Sequence, residues 1–186
     1  MCPDVFWHAF CTVVPNNIVN FASRVINQRN LQSMNNQFSP KISEVLIYSK
    51  EEALRLHNEC VAPEHLLLGL IRDGEGKAIQ ILRLLNLDFR SVKLRAEQSI
   101  QGSAMQEMPD ADHEIILNEK ASKIMRLCLL EARMLKAQVA DTEHILLAIM
   151  KEKDNNACRI LEENSIHYTD ILNLLTQKAE KSDVQS

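Results

Sequence analysis

The chain has 186 residues, a formal net charge of −4, 46% hydrophobic residues and 25% charged residues. That length builds one good core or two small ones, and the acidic balance excludes the basic footprint of a nucleic-acid binder. Only four glycines occur, few for a β-rich or loop-rich fold and ordinary for helices.

Residues 1–33 hold the single Trp and three of the five Phe. They carry no steady helical or strand periodicity and have no later duplicate. Two readings stay open: a poorly ordered N-terminal extension over 1–35, or translation that naturally starts at Met34. Helical signals begin at Ser39-Pro40, an N-cap followed by proline at the first helical position. Ile42, Val45, Leu46, Ser49, Ala53 and Leu56 then share one face at 3.6 spacing. A second helix is predicted from Pro63 to Asp73-Gly74, where glycine supplies a left-handed cap. A third runs from about Lys77 to Leu85. Asp88 caps a fourth that carries Phe89, Val92 and Ala96. Residues 101–113 read as a linker.

The same scheme then returns. Asn118 caps a helix to about Lys136, and Asp141 or Thr142 opens the next. Further helices are expected over 156–163 and 168–177, with a frayed polar tail beyond. Cys60-Val-Ala-Pro-Glu-His-Leu-Leu-Leu-Gly-Leu-Ile recurs as Val139-Ala-Asp-Thr-Glu-His-Ile-Leu-Leu-Ala-Ile-Met, 79 residues later, and residues 42–92 match 121–171 without a gap at eleven identical positions. This is an internal duplication. The expected fold is all-α: a duplicated four-helix repeat forming one eight-helix domain with approximate two-fold symmetry. Its expected bounds are 36–178, with repeat 1 over about 38–100, repeat 2 over about 116–177 and a tail over 179–186. No stretch alternates as a strand would, so no sheet is expected.

The cysteines at 2, 11, 60, 128 and 158 are odd in number and lack CxxC spacing. They read as small buried apolar residues in a reducing compartment. No membrane span or signal peptide is legible, so the expected location is the cytoplasm.

No P-loop is present. Gly74-Glu-Gly76-Lys77 follows a helix rather than a strand, and reads as a cap and turn. The Glu-His pairs at 64–65 and 143–144 lack the second histidine of a zinc helix. His57, Cys60 and His65 could gather around a metal. Their duplicates Lys136, Val139 and His144 could not, so no metal and no cofactor is expected. His65 and His144 read instead as hydrogen-bonded, half-buried histidines in a first helical turn. Glu64 and Glu143 sit at helix starts, where the dipole favours a carboxylate by roughly 0.3–1 kcal/mol. The alternative is that they are paired acidic receptors for a cationic group on a client.

Phe38-Ser-Pro-Lys-Ile, Glu51-Glu-Ala-Leu-Arg-Leu, Pro63-Glu-His-Leu-Leu-Leu-Gly-Leu-Ile-Arg-Asp-Gly-Glu-Gly and Thr142-Glu-His-Ile-Leu-Leu-Ala-Ile resemble the double repeat of the Clp N-terminal domain. Within that family they look most like the ClpC branch of the AAA+ unfoldases. The resemblance covers about 36–176. It implies a non-enzymatic docking module for client and adaptor proteins, working with an AAA+ ATPase ring in cis or in trans. It further implies a phosphoarginine site in each repeat, with Glu64 and Ser39 in one and Glu143 and Asn118 in the other. An N-cap region presents free N–H groups to a phosphate, while a carboxylate accepts from a guanidinium. Ser39 keeps the family's hydroxyl, Asn118 does not, and Pro63 replaces the threonine of the Thr-Glu-His motif. Glu64 is therefore expected to matter more than Glu143. A competing reading is a free-standing helical repeat protein that mediates assembly without client delivery. It predicts a large apolar surface on one helix pair. A hydrolase is the weakest reading, because no nucleophile–base arrangement occurs in both copies.

Overall fold

The computed structural model describes residues 37–101 and 115–183. Of the sequence expectations, the 1–35 extension and nearly all of the 101–113 linker lie outside those residues. The first repeat consists of α1 (Pro40–Arg55), β1 (Cys60–Val61), α2 (Pro63–Asp73), α3 (Lys77–Leu84) and α4 (Phe89–Gln101). The second consists of β2 (Ile116–Leu117), α5 (Glu119–Met134), α6 (Thr142–Lys151), α7 (Asn156–Glu163) and α8 (Tyr168–Asp183). The fold is all-α, as the periodicity predicts. The helix α8 extends to Asp183, past the end expected at Gln177. The added residues include Lys178, Ala179, Glu180 and Lys181, which favour helix by intrinsic propensity.

Local chemistry sets the helix ends. The Ser39 hydroxyl accepts from Ile42 N at 3.3 Å and Asn118 Oδ1 accepts from Ala121 N at 2.8 Å. Asp88 Oδ1 accepts from Arg90 N and Ser91 N at the start of α4. Gly74, at φ +72°, stops α2. Four other helices end on a non-glycine residue with positive φ: His57, Asn86, Lys136 and Ser165. Each is followed by the bond that closes a Schellman motif, such as Asn58 N to Ala53 O and Ala137 N to Ala132 O. His57 and Lys136 are 79 residues apart, as are Asn86 and Ser165. The duplication therefore extends to backbone conformation, even where the side chains have diverged.

Residues 63–70 of α2 and 142–150 of α6 are buried without interruption. A helix apolar on every side belongs in a core, and these two form the centre. The first packs against α1 and α4, and the second against α5 and α8. The short helices cross over: α3 lies chiefly on α6, and α7 on α2 and α4. Ala78, Ile79, Ile81 and Leu82 are buried on α3, with Ala157, Cys158, Ile160 and Leu161 at the same places on α7.

A small parallel ladder was not expected from the sequence. Cys60 and Val61 pair with Ile116 and Leu117, and Phe38 bridges Ala140. Two residues are too few to show alternation. The ladder still decides the topology of the site, because each strand pair joins opposite repeats. Ser39 N donates to Ala140 O at 2.8 Å, and Asn118 N donates to Val61 O at 2.9 Å.

Candidate functional site

These cross-repeat bonds correct the grouping of the site residues. Ser39 stands beside the start of α6, which carries Glu143, and Asn118 stands beside the start of α2, which carries Glu64. The structure thus pairs Ser39 with the Glu143 helix and Asn118 with the Glu64 helix, the reverse of the sequence expectation. In sequence terms the two groupings are indistinguishable, because each repeat presents the same local pattern.

At the first edge, Glu64 lies in the first turn of α2 and is 7% exposed. No hydrogen bond or ion pair holds its carboxylate among the described residues. Ala62 and Pro63 precede it, so no other charge or hydroxyl comes from its own segment. The N-terminus of α5, capped by Asn118, adjoins it through the Val61 bond.

The second edge is more crowded. Ser39 Oγ donates to Asp141 Oδ1 at 2.8 Å, and the same oxygen accepts from Thr142 N. Lys77, the first residue of α3, donates from Nζ to Glu143 Oε1 at 3.0 Å and lies 3.6 Å from Asp141 Oδ2. Burial works against the charge on Lys77, but Glu143 and Asp141 together raise its pKa above the ordinary lysine range. The ammonium is therefore charged at neutral pH. The Thr142 hydroxyl points inward and accepts from Ala78 N at 3.2 Å. It takes the place of a side-chain cap for α3, whose N-cap is Gly76.

The two histidines have a structural part. His65 Nδ1 accepts from Ala62 N and His144 Nδ1 accepts from Asp141 N, both at 2.9 Å. Each ring reaches back from the third helical position to the N-cap amide, where Glu or Gln stands in a capping box. Acceptance at Nδ1 places the proton of the neutral ring on Nε2. Burial pushes the His65 pKa down to about 4 and lowers that of His144 as well. Both rings are fully buried, at 0% and 3% exposure, rather than half-buried as the sequence suggested. With Nδ1 engaged, that nitrogen of His65 is not free to hold a metal. No helix among the described residues is long and apolar enough to cross a membrane.

The family model for the Clp repeat N-terminal domain matches residues 37–164. The chain belongs to that family. Among curated relatives, it is 37% identical over 125 residues to the negative regulator of genetic competence ClpC/MecB of Bacillus subtilis (strain 168), covering 67% of this chain and 15% of that protein. It is 31% identical over 165 residues to the chloroplastic chaperone protein ClpC2 of Oryza sativa subsp. japonica, covering 83% of this chain and 17% of that one. This Clp chain therefore spans roughly one sixth of the length of these relatives, and what it matches is their N-terminal domain. The solved N-terminal domain of the caseinolytic protease associated chaperone ClpD from Arabidopsis thaliana superposes with a TM-score of 0.60 at 19% identity, covering 77% of this chain and 95% of that one. The Hsp104 N-terminal domain from Candida albicans gives 0.61 at 17% identity, covering 75% and 89%. At those identities the likeness is one of fold.

Proposed function

We propose that this Clp N-terminal domain docks client and adaptor proteins for a Clp-type ATPase, and that its primary receptor is Glu64 beside the Asn118-capped start of α5. The observation that carries this reading is a glutamate whose side chain is largely packed in, at 7% exposure, while no hydrogen bond or ion pair engages its carboxylate among the described residues. A carboxylate in that setting is stabilised by the dipole of its own helix and keeps its acceptor sites for a ligand. A guanidinium takes both oxygens at once. The adjoining start of α5 offers backbone N–H groups to an anion. A phosphoarginine presents both halves on one side chain, which makes it the ligand class of choice.

Glu64→Ala should leave the fold intact, since losing a first-turn carboxylate costs about 1 kcal/mol or less. The contact to a guanidinium is worth about 1.5–3 kcal/mol, so binding of a phosphoarginine-bearing client should weaken at least about tenfold. Titration calorimetry with phosphoarginine on the intact chain and the variant measures this. Absence of heat at millimolar ligand on the unsubstituted chain removes the docking-site claim and leaves protein adaptors as the proposed partners. One observation favours the assembly reading: Leu130 and Met134, one turn apart on α5, are 49% and 65% exposed. A concentration-dependent mass in sedimentation would support it.

A further inference from the structure

The two edges share a backbone plan, and three of the matched positions at which they differ change charge or the capping group. Ser39 stands where the other edge has Asn118, Asp141 where it has Ala62, and Lys77 where it has Asn156. Each difference bears on what the edge can accept.

Lys77 occupies Glu143 from the opposite repeat. Its ammonium satisfies Oε1 only, while Glu143 Oε2 is buried with no hydrogen-bond partner among the described residues. The Glu143 side chain is 5% exposed and Lys77 is 57% exposed. The resident cation thus engages one Glu143 oxygen, with Asp141 Oδ2 3.6 Å away as its second contact; its exposed stem lets it swing out, and it leaves a buried Glu143 acceptor unfilled. A planar guanidinium has parallel donors that match both oxygens of a carboxylate, which a single ammonium does not. Asn156, at the Lys77 position of the other edge, carries no charge. Its Oδ1 accepts from Arg159 of its own helix.

Asp141 acts on the anionic half of a ligand. A phosphate drawn to the start of α1 would meet the Asp141 carboxylate, and the Ser39 hydroxyl already donates to that carboxylate. The other edge has alanine there and places no negative charge in the way.

We infer that Lys77 is an internal competitor that keeps the Glu143 edge closed, and that the ligand this edge admits once Lys77 is displaced is an unphosphorylated guanidinium. This rests on the reading of Glu64 and Glu143 as cation receptors, but it concerns a different edge and is read independently. The chain then has one open receptor, Glu64, and one gated receptor of different ligand preference, Glu143.

Backbone amide NMR of the full chain separates the two edges, because the amides of Glu64 and Asn118 report one and those of Thr142, Glu143 and Ala78 report the other. The probes are N-acetylarginine amide and phosphoarginine, titrated into the unsubstituted chain and Lys77→Gln. The substitution is at a half-exposed side chain, and the unchanged spectrum away from α3 and α6 checks the fold. Lys77→Gln should lower the arginine amide concentration that half-saturates the Glu143 amides by about tenfold or more, and at that edge arginine amide should bind ahead of phosphoarginine. Equal half-saturation in both proteins, or no response of the Glu143 amides in Lys77→Gln, overturns the gate. Phosphoarginine binding ahead of arginine amide there overturns the ligand class. The Glu64 amides respond or stay silent separately, and their silence counts against the proposed function alone.

Discussion

A histidine that accepts a backbone hydrogen bond can cap a helix only while it is neutral. His65 and His144 both do so from buried positions. Since the His65 pKa is held down to about 4 in the folded chain against an ordinary 6.5, the unfolded chain binds the extra proton first. The contribution to stability is complete above about pH 6.5 and is lost as pH falls toward 4, at about 1.4 kcal/mol per pH unit for one proton. His144 shifts in the same direction and adds to the slope. Glutamine at position 65 can still accept from the Ala62 amide and does not titrate. His65→Gln should therefore flatten the fall of the urea midpoint between pH 6.5 and 4.5. Identical pH profiles for the two proteins would show that the ring is not the proton acceptor in question. Ion pairing differs at residue scale too. Glu52 is held by Arg55 and Arg72, whereas its duplicate Glu131 is held by Lys151 and the Tyr168 hydroxyl at 2.6 and 2.8 Å. The buried carboxylate is common to both repeats, and its partners are not.

At the scale of helices, α1 and α2 approach closely at Gly69. A Cβ built there would lie 2.7 Å from the Val45 carbonyl and would also strike the Ser49 hydroxyl, which itself donates to Val45 O. Alanine gains about 1 kcal/mol over glycine in a helix, but overpacking against a backbone carbonyl costs about 1–3 kcal/mol. Gly69→Ala should therefore be net destabilising, with a lower denaturation midpoint at unchanged m-value. An increase in stability would mean that α1 can slide away from α2 at little cost. Much of this level was legible beforehand. Ser39, Asp88, Asn118 and Gly74 announce helix ends because capping is decided within a few residues. The partnering of Ser39 with Asp141 was not legible, since it spans 102 positions and Ala62, the residue matched to Asp141, has no side chain that could suggest such a bond. The role of Lys77 was hidden for the same reason. In sequence it reads as the start of the third helix, just past the turn after α2, and only the crossing of α3 onto α6 brings it to Glu143.

For the whole molecule, that crossing decides how the chain folds. If each repeat closed its own core, the halves could melt separately. Here α3 covers α6 of the other repeat, and α7 covers α2 and α4. Cutting between the repeats strips Ile79, Ile81 and Leu82 from one centre and Ile160 and Leu161 from the other. Each large aliphatic side chain is worth about 1.5–3 kcal/mol when buried, so each half loses several kcal/mol. A unit of about 65 residues has only a few kcal/mol of stability to lose. The ladder bonds at Ser39 and Asn118 would go as well, and with them the geometry of both receptor edges. Residues 36–100 and 114–178 expressed apart should be weakly folded or molten, with little near-ultraviolet dichroism, and mixing them should restore it. The intact chain should melt in one calorimetric transition whose van't Hoff and calorimetric enthalpies agree. Two separated transitions would show that each repeat holds a core of its own. Lys77 would then reach Glu143 only across a loose interface, so the number of transitions also bears on whether the gate can hold.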